Sequence, residues 1–162
     1  MTTGRIHKVM ATRAPGAVLF IRLSVGGVFF SEGIQKFLYP AQVGVGRFSR
    51  IPVPAPEITA PFVGVVEIVC GALILAGLLT RLAAIPLIAD MLVAIPSTKV
   101  PILLGRGFLG FSLPNLPYYG FWGMAHEART DFAMLLGLLF LLAVGGGAWS
   151  VDSKMTRYPI RQ

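Results

Sequence analysis

Cysteine is nearly missing from this 162-residue chain, with Cys70 standing alone. That excludes an intrachain disulfide and any Cys-x-x-Cys redox pair. Cys70 falls inside an apolar run, where an inert buried thiol is the expectation. Histidine is almost as scarce, at His7 and His126. One chain therefore cannot hold a bis-histidine haem within its apolar core, and nothing matches a zinc ligand set. No phosphate-binding loop is present either, because Gly44-Val45-Gly46 has no lysine following it. Charge is sparse as well. Only 13% of residues are charged, against about 25% for an ordinary soluble domain.

What is there is apolar. The hydrophobic share is 55% and the mean hydropathy +0.75. Four long apolar stretches divide the chain, which reads as one all-α domain, a four-transmembrane-helix bundle spanning residues 15–149. A basic N-terminal tail (1–14) and a polar C-terminal tail (150–162) flank it. The first span is expected over Pro15 to Tyr39 and follows Arg5, Lys8 and Arg13. It is too long for a signal peptide's apolar region and lacks a convincing cleavage site, so it reads as an uncleaved span. The second is expected over Pro61 to Leu79. The third runs from Leu82 to about Pro96, with an extension to about Val100 left open; Pro86 and Pro96 limit its regular part, and a re-entrant hairpin is the alternative. The fourth follows His126 and includes Phe132 to Trp149. The Pro/Gly-rich loop 40–60 and the aromatic-rich loop 101–123 are the two long connections.

The net charge is +7, from 14 Lys and Arg against 7 Asp and Glu. The basic residues form no stripe, so nucleic acid is not the expected partner. They gather at segment ends, as membrane orientation requires. Arg5, Lys8, Arg13, Arg81, Lys154, Arg157 and Arg161 share one side. Arg47, Arg50, Lys99 and Arg106 share the other. This bias favours cytoplasmic termini and extracytoplasmic long loops.

Ionisable residues inside the spans are the candidates for function. A charge near the bilayer centre costs roughly 2.5 to 3.5 kcal/mol on insertion scales, so it faces the bundle interior, pairs, or lines a polar cavity. Arg22, Glu32 and Lys36 occupy the first span, Glu67 the second and Asp90 the third, with Glu127 and Asp131 at the start of the fourth. At 100° per residue, Arg22, Gly26, Phe29, Gly33 and Lys36 share a face, with Glu32 at its edge. Gly64, Glu67 and Gly71 share another. Lys36 is expected to meet Glu67 across the two glycine-bearing faces. All but Arg22 and the more central Asp90 fall in the outer half, beneath the long loops. Two readings stay open, a packing ion pair or a ligand and proton site. The excess of acids over bases in the charged spans points to the second. Gly26, Gly27, Gly33, Gly64 and Gly71 read as helix-contact positions.

Several pieces of sequence together resemble the DoxX family. They are Arg22 followed by Glu32-Gly33-Ile34-Gln35-Lys36-Phe37, then Glu67 with Gly71-Ala72-Leu73-Ile74-Leu75-Ala76-Gly77-Leu78-Leu79-Thr80-Arg81-Leu82-Ala83-Ala84. His126-Glu127-Ala128-Arg129-Thr130-Asp131 and Gly145-Gly146-Gly147-Ala148-Trp149-Ser150-Val151-Asp152 complete the pattern, which covers about Ala14 to Asp152. The resemblance implies a multi-pass protein of the prokaryotic cytoplasmic (inner) membrane. Relatives include a membrane subunit of a quinone-linked thiosulfate-oxidising enzyme and members of oxidative-stress assemblies with soluble partners. No catalytic residues carry over. The expectation is a membrane subunit or scaffold of a redox assembly, with no intrinsic cofactor but a quinone as ligand. Its partners would be membrane lipid, soluble redox enzymes and further copies of itself. A small polar-solute transporter and a purely structural anchor are the alternatives.

Overall fold

The computed structural model describes residues 10–12 and 14–157. Arg5, Lys8, Arg13, Arg161 and His7, which entered the reading of the tails, lie outside the described residues. Four long helices dominate: α1 (Val18–Leu38), α3 (Pro56–Ala76), α4 (Thr80–Leu104) and α5 (Phe121–Val144). Two short ones join them, α2 (Val45–Arg50) between α1 and α3, and α6 (Val151–Arg157) after α5. α1 packs chiefly on α3, and α4 chiefly on α5. Val25, Phe29, Ile74, Ala84, Leu87, Met91, Leu138 and Leu141 form the shared core. The outside is apolar too: Phe20, Phe62, Val69, Leu92, Val93 and Phe132 are all exposed. An apolar exterior around an apolar core is the pattern of a bundle solvated by lipid.

α1, α3 and α4 are each long and apolar enough to cross a membrane. α5 has 24 residues but carries His126, Glu127, Arg129 and Asp131 in its first half. It also stops at Val144, short of the expected Trp149, because Gly145 takes φ +83. That is left-handed backbone suited to glycine.

The third apolar stretch departs most from expectation. It is one unbroken 25-residue helix from Thr80 to Leu104, with Pro86, Pro96 and Pro101 inside it. No hairpin forms. In water three prolines would end such a helix. In an apolar setting, helix breakage strands more backbone groups than a missing N–H does, and neighbouring helices and hydroxyls re-satisfy the rest. Between Pro96 and Pro101, the Ser97 and Thr98 hydroxyls both donate back to the Ala94 carbonyl.

α1 and α3 run antiparallel and very close. A Cβ on Gly26 would lie 2.9 Å from the Gly71 carbonyl oxygen, and one on Gly33 would lie 2.6 Å from that of Gly64. Each pair of glycines is seven residues apart on its own helix, so a single stripe brings backbone against backbone. Gly27 has open space beside it and takes no part in the seam.

The other end of the bundle is held by two charges. Arg22, 2% exposed, donates from Nε to Ile74 O (2.8 Å), from Nη2 to Leu75 O (2.5 Å), and from Nη1 to Trp149 O (2.7 Å) and Gly146 O (3.2 Å). It thus caps the C-terminus of α3, where a cation suits the helix dipole. Asp152 caps the N-terminus of α4. Its Oδ1 accepts Leu79 N–H (2.7 Å), and its Oδ2 accepts Thr80 N–H and Thr80 Oγ1–H (both 3.0 Å). The segment after Ser150, expected as a polar tail, is therefore a packed helix with Ser150, Asp152 and Ser153 buried. Arg81 caps α5 in the same region, donating to Leu142 O and Ala143 O.

Replacing Asp152 with Ala leaves two backbone N–H groups and a buried hydroxyl without their acceptor. The expected loss is about 1 to 3 kcal/mol, read as a lower melting temperature in detergent. An unchanged melting temperature would show that the clamp contributes nothing.

Candidate functional site

Lys36 and Glu67 meet across the glycine seam, Nζ to Oε2 at 2.5 Å, with side chains 10% and 5% exposed. The geometry follows from the helices. Gly26 faces Gly71 and Gly33 faces Gly64, so Glu67 lies about six residues of α1, roughly 9 Å, below the level of Lys36. Side chains on a helix lean toward its N-terminus. Because α1 and α3 are antiparallel, Lys36 leans down and Glu67 leans up, and their tips meet between the levels.

A second pair joins the other two helices. Lys99 on α4 reaches Asp131 on α5 at 2.8 Å. Lys99 was expected in a loop, because Pro96 read as a helix end. It lies instead inside α4, and its ammonium is held within the bundle. The signal available was that the apolar run simply continues through Val100 to Leu104.

Asp90, half-buried on α4, lies within electrostatic reach of Lys36, Asp131 and Arg47. Glu67 in turn feels Asp90 and Glu32. Asp90 and Glu32 have no hydrogen bond or ion pair among the described residues. No fully buried side-chain polar atom among those residues lacks a partner. The carboxylate oxygens of Asp90 are therefore not fully enclosed by protein.

The structure thus brings Glu32, Lys36, Glu67, Asp90 and Asp131 into one charged cluster that draws on α1, α3, α4 and α5. Glu127 stands apart, on the wall of a cleft of about 640 Å³ under the two long connections. Arg22 does not belong to the cluster. It sits fourteen residues before Lys36 on α1, about 21 Å away along the axis. Four hydrogen bonds to backbone carbonyls occupy its guanidinium. Its expected place beside a ligand is corrected to a structural one, because the chain reversals at that end leave carbonyls that need a buried donor. Arg47, Arg50 and Lys99, which sequence reasoning set aside as loop charges, line the cleft.

The DoxX family model matches residues 17–100, from the start of α1 to near the end of α4. The chain belongs to the DoxX family. It is 55% identical over 150 residues to an uncharacterised membrane protein of Mycobacterium tuberculosis, covering 93% of this chain and 88% of that one. It is also 32% identical over 143 residues to an uncharacterised protein of Haemophilus influenzae, covering 86% of this chain and 91% of the relative. No solved structure matches the chain significantly. This DoxX-family chain is a membrane protein, and the matched region contains three of its four long helices together with Arg22, Glu32, Lys36, Glu67, Asp90 and Lys99.

Both partners of the Lys36–Glu67 pair are nearly dry, so removing one strands the other. Lys36→Met or Glu67→Gln alone is expected to cost about 3 to 5 kcal/mol, and the double variant less than either. Thermal melts of the three variants in detergent check this. Additive losses would mean that the pair is not coupled.

Proposed function

We propose that this DoxX protein is the membrane subunit of a quinone-linked redox assembly, inserted in the cytoplasmic membrane as four spans with both termini inside. The observation that carries the reading is the charged cluster within an apolar bundle, where Lys36–Glu67 is compensated but Asp90 is a half-buried carboxylate with no direct partner among the described residues. The residues fit what a quinone head needs. Lys36 supplies an N–H donor for a ring carbonyl. Asp90 and Glu67 can hold and release a proton beside it. The lipid-facing surfaces of α1, α3 and α4 suit an isoprenoid tail.

Reduction of a quinone consumes two electrons and two protons. The electrons come from a soluble oxidoreductase partner, and this chain's part concerns the protons. Asp90 would take the two protons in turn from the water side and present each in the bundle. Lys36 orients the carbonyl and stabilises negative charge that develops on oxygen. Glu67 fixes the Lys36 ammonium so that its remaining N–H groups point to one place. A transporter role has weaker support, because the chain has no inverted repeat of the kind that builds an alternating-access site.

Glu67→Gln keeps the side-chain shape and removes the charge that holds Lys36. The purified variant is expected to remain membrane-inserted but to lose co-extracted quinone, measured by solvent extraction and chromatography against the wild type. Asp90→Asn is expected to keep the quinone and to slow quinone reduction in the intact assembly. Quinone content and turnover equal to wild type in both variants would leave the anchor reading in its place.

Orientation is tested separately. Reporter fusions after Gln162 and within the 47–57 segment are expected to score on opposite sides, with the C-terminal one cytoplasmic. Cytoplasmic activity from the 47–57 fusion would invert the topology.

A further inference from the structure

The cleft at the outer end of the bundle is not used by the reading above, and its lining has a chemistry of its own. Its volume of about 640 Å³ lies within the usual range for small-molecule sites. Three cations line it: Arg47 and Arg50 from α2 and Lys99 from α4. Glu127 is the one acidic residue on the wall, and Ser112 and Asn115 add neutral polar groups.

The three cations are not equivalent. Arg50 donates from Nη1 to Ala41 O (3.0 Å) and from Nη2 to Gln42 O (2.8 Å), which locks its guanidinium in place as a wall. Lys99 is ion-paired with Asp131 at 2.8 Å, and a single carboxylate does not use up an ammonium with three donors. Arg47 is exposed and makes no hydrogen bond or ion pair among the described residues, so its whole fork of donors is free. Two helices thus present converging donors to one volume. Such a set grips an anion with several oxygens far better than a single carboxylate, because each cation can take a different oxygen.

The level of the cleft in the membrane is also marked. Leu113, Pro114 and Leu116 line it, and the same connection continues into Tyr118, Tyr119, Phe121 and Trp122, all exposed. Exposed aromatics of this kind mark the headgroup zone of a bilayer.

We propose that this cleft binds a phosphoryl anion, held by Arg47 and Lys99 against the fixed guanidinium of Arg50, with Glu127 setting the upper limit on the charge it accepts. The phosphoryl group belongs either to an anionic phospholipid headgroup or to free phosphate. The site stands independently of any quinone.

The test uses the purified full chain. Inorganic phosphate is titrated calorimetrically into protein in detergent. In parallel, protein in nanodiscs of phosphatidylcholine with phosphatidylglycerol is released, and its retained lipid is counted by native mass spectrometry. Wild type is expected to bind at least one of the two saturably. Arg47→Gln, which removes an exposed side chain and spares folding, is expected to weaken binding roughly tenfold or more. Arg47→Lys restores part of it, and Glu127→Gln tightens it. Phosphatidylglycerol retention that inorganic phosphate does not displace assigns the headgroup. Phosphate binding indifferent to phosphatidylglycerol assigns the free anion. Binding of neither probe, or binding unchanged in Arg47→Gln and Glu127→Gln, overturns the proposal.

Discussion

A polar group without a partner in hydrocarbon costs several kcal/mol, while apolar packing between helices gains little over packing against lipid. That imbalance governs this bundle. Its cohesion comes from places where backbone carbonyls, N–H groups and charges must be satisfied inside the chain. Arg22 and Asp152 do this at one end. The first takes up carbonyls left over where α3 stops and where the chain turns after α5. The second takes up the N–H groups left over where α4 starts. The α3–α4 turn is therefore gripped from both sides by residues far away in sequence. The end of the chain becomes part of the fold rather than a tail.

The same rule acts differently at the other end. There the seam of Gly26, Gly33, Gly64 and Gly71 brings α1 and α3 so close that two long side chains can meet tip to tip. A charge pair of this sort is weak evidence for stability in itself, since desolvation offsets most of its attraction. It does fix register. A slide of one turn along α1 would strand both Lys36 and Glu67, and it would also drive side chains into the glycine seam. Packing and electrostatics thus select one alignment for the pair of helices that carries half the cluster.

How much of this the sequence disclosed depends on whether the governing contact was local or periodic. Span positions follow from long apolar runs, and the Lys36–Glu67 contact follows from two glycine-bearing faces at similar depth. Both are periodic features, visible at 100° per residue. Pro96 misled, because helix-breaking rules weighted by aqueous solvent overstate the cost of proline in lipid. With Pro96 taken as an end, Lys99 fell into a loop and its contact with Asp131 was hidden. Arg22 shares a face with Lys36 but falls in the other half of the span, about 21 Å of helix away. The partners of Arg22 are carbonyls, which no side-chain pattern announces. Asp152 was invisible for the same reason, since a cap supplied from seventy-two residues away leaves no capping signature before Thr80.

The pieces of sequence that resemble the family can now be sorted by what they hold. Arg22, Gly77-Leu78-Leu79-Thr80-Arg81 and Gly145 through Asp152 converge on the clamp at one end. Glu32 through Lys36 and Glu67 belong to the seam and the charged cluster at the other. The clamp is fully accounted for by satisfied backbone groups, and its charges are spent on holding the fold. The cluster is not. Lys36–Glu67 and Lys99–Asp131 each balance, yet Asp90 and Glu32 remain as acids with no direct partner among the described residues. Packing alone gives no reason to keep a half-buried carboxylate on a lipid-immersed helix at a cost of kcal/mol. The cluster is therefore the place where the bundle is less well satisfied than packing requires, and α4 carries its half-buried Asp90. Asp90 and Lys99 lie about 14 Å apart along its axis, linking the intramembrane cluster to the cationic cleft above it.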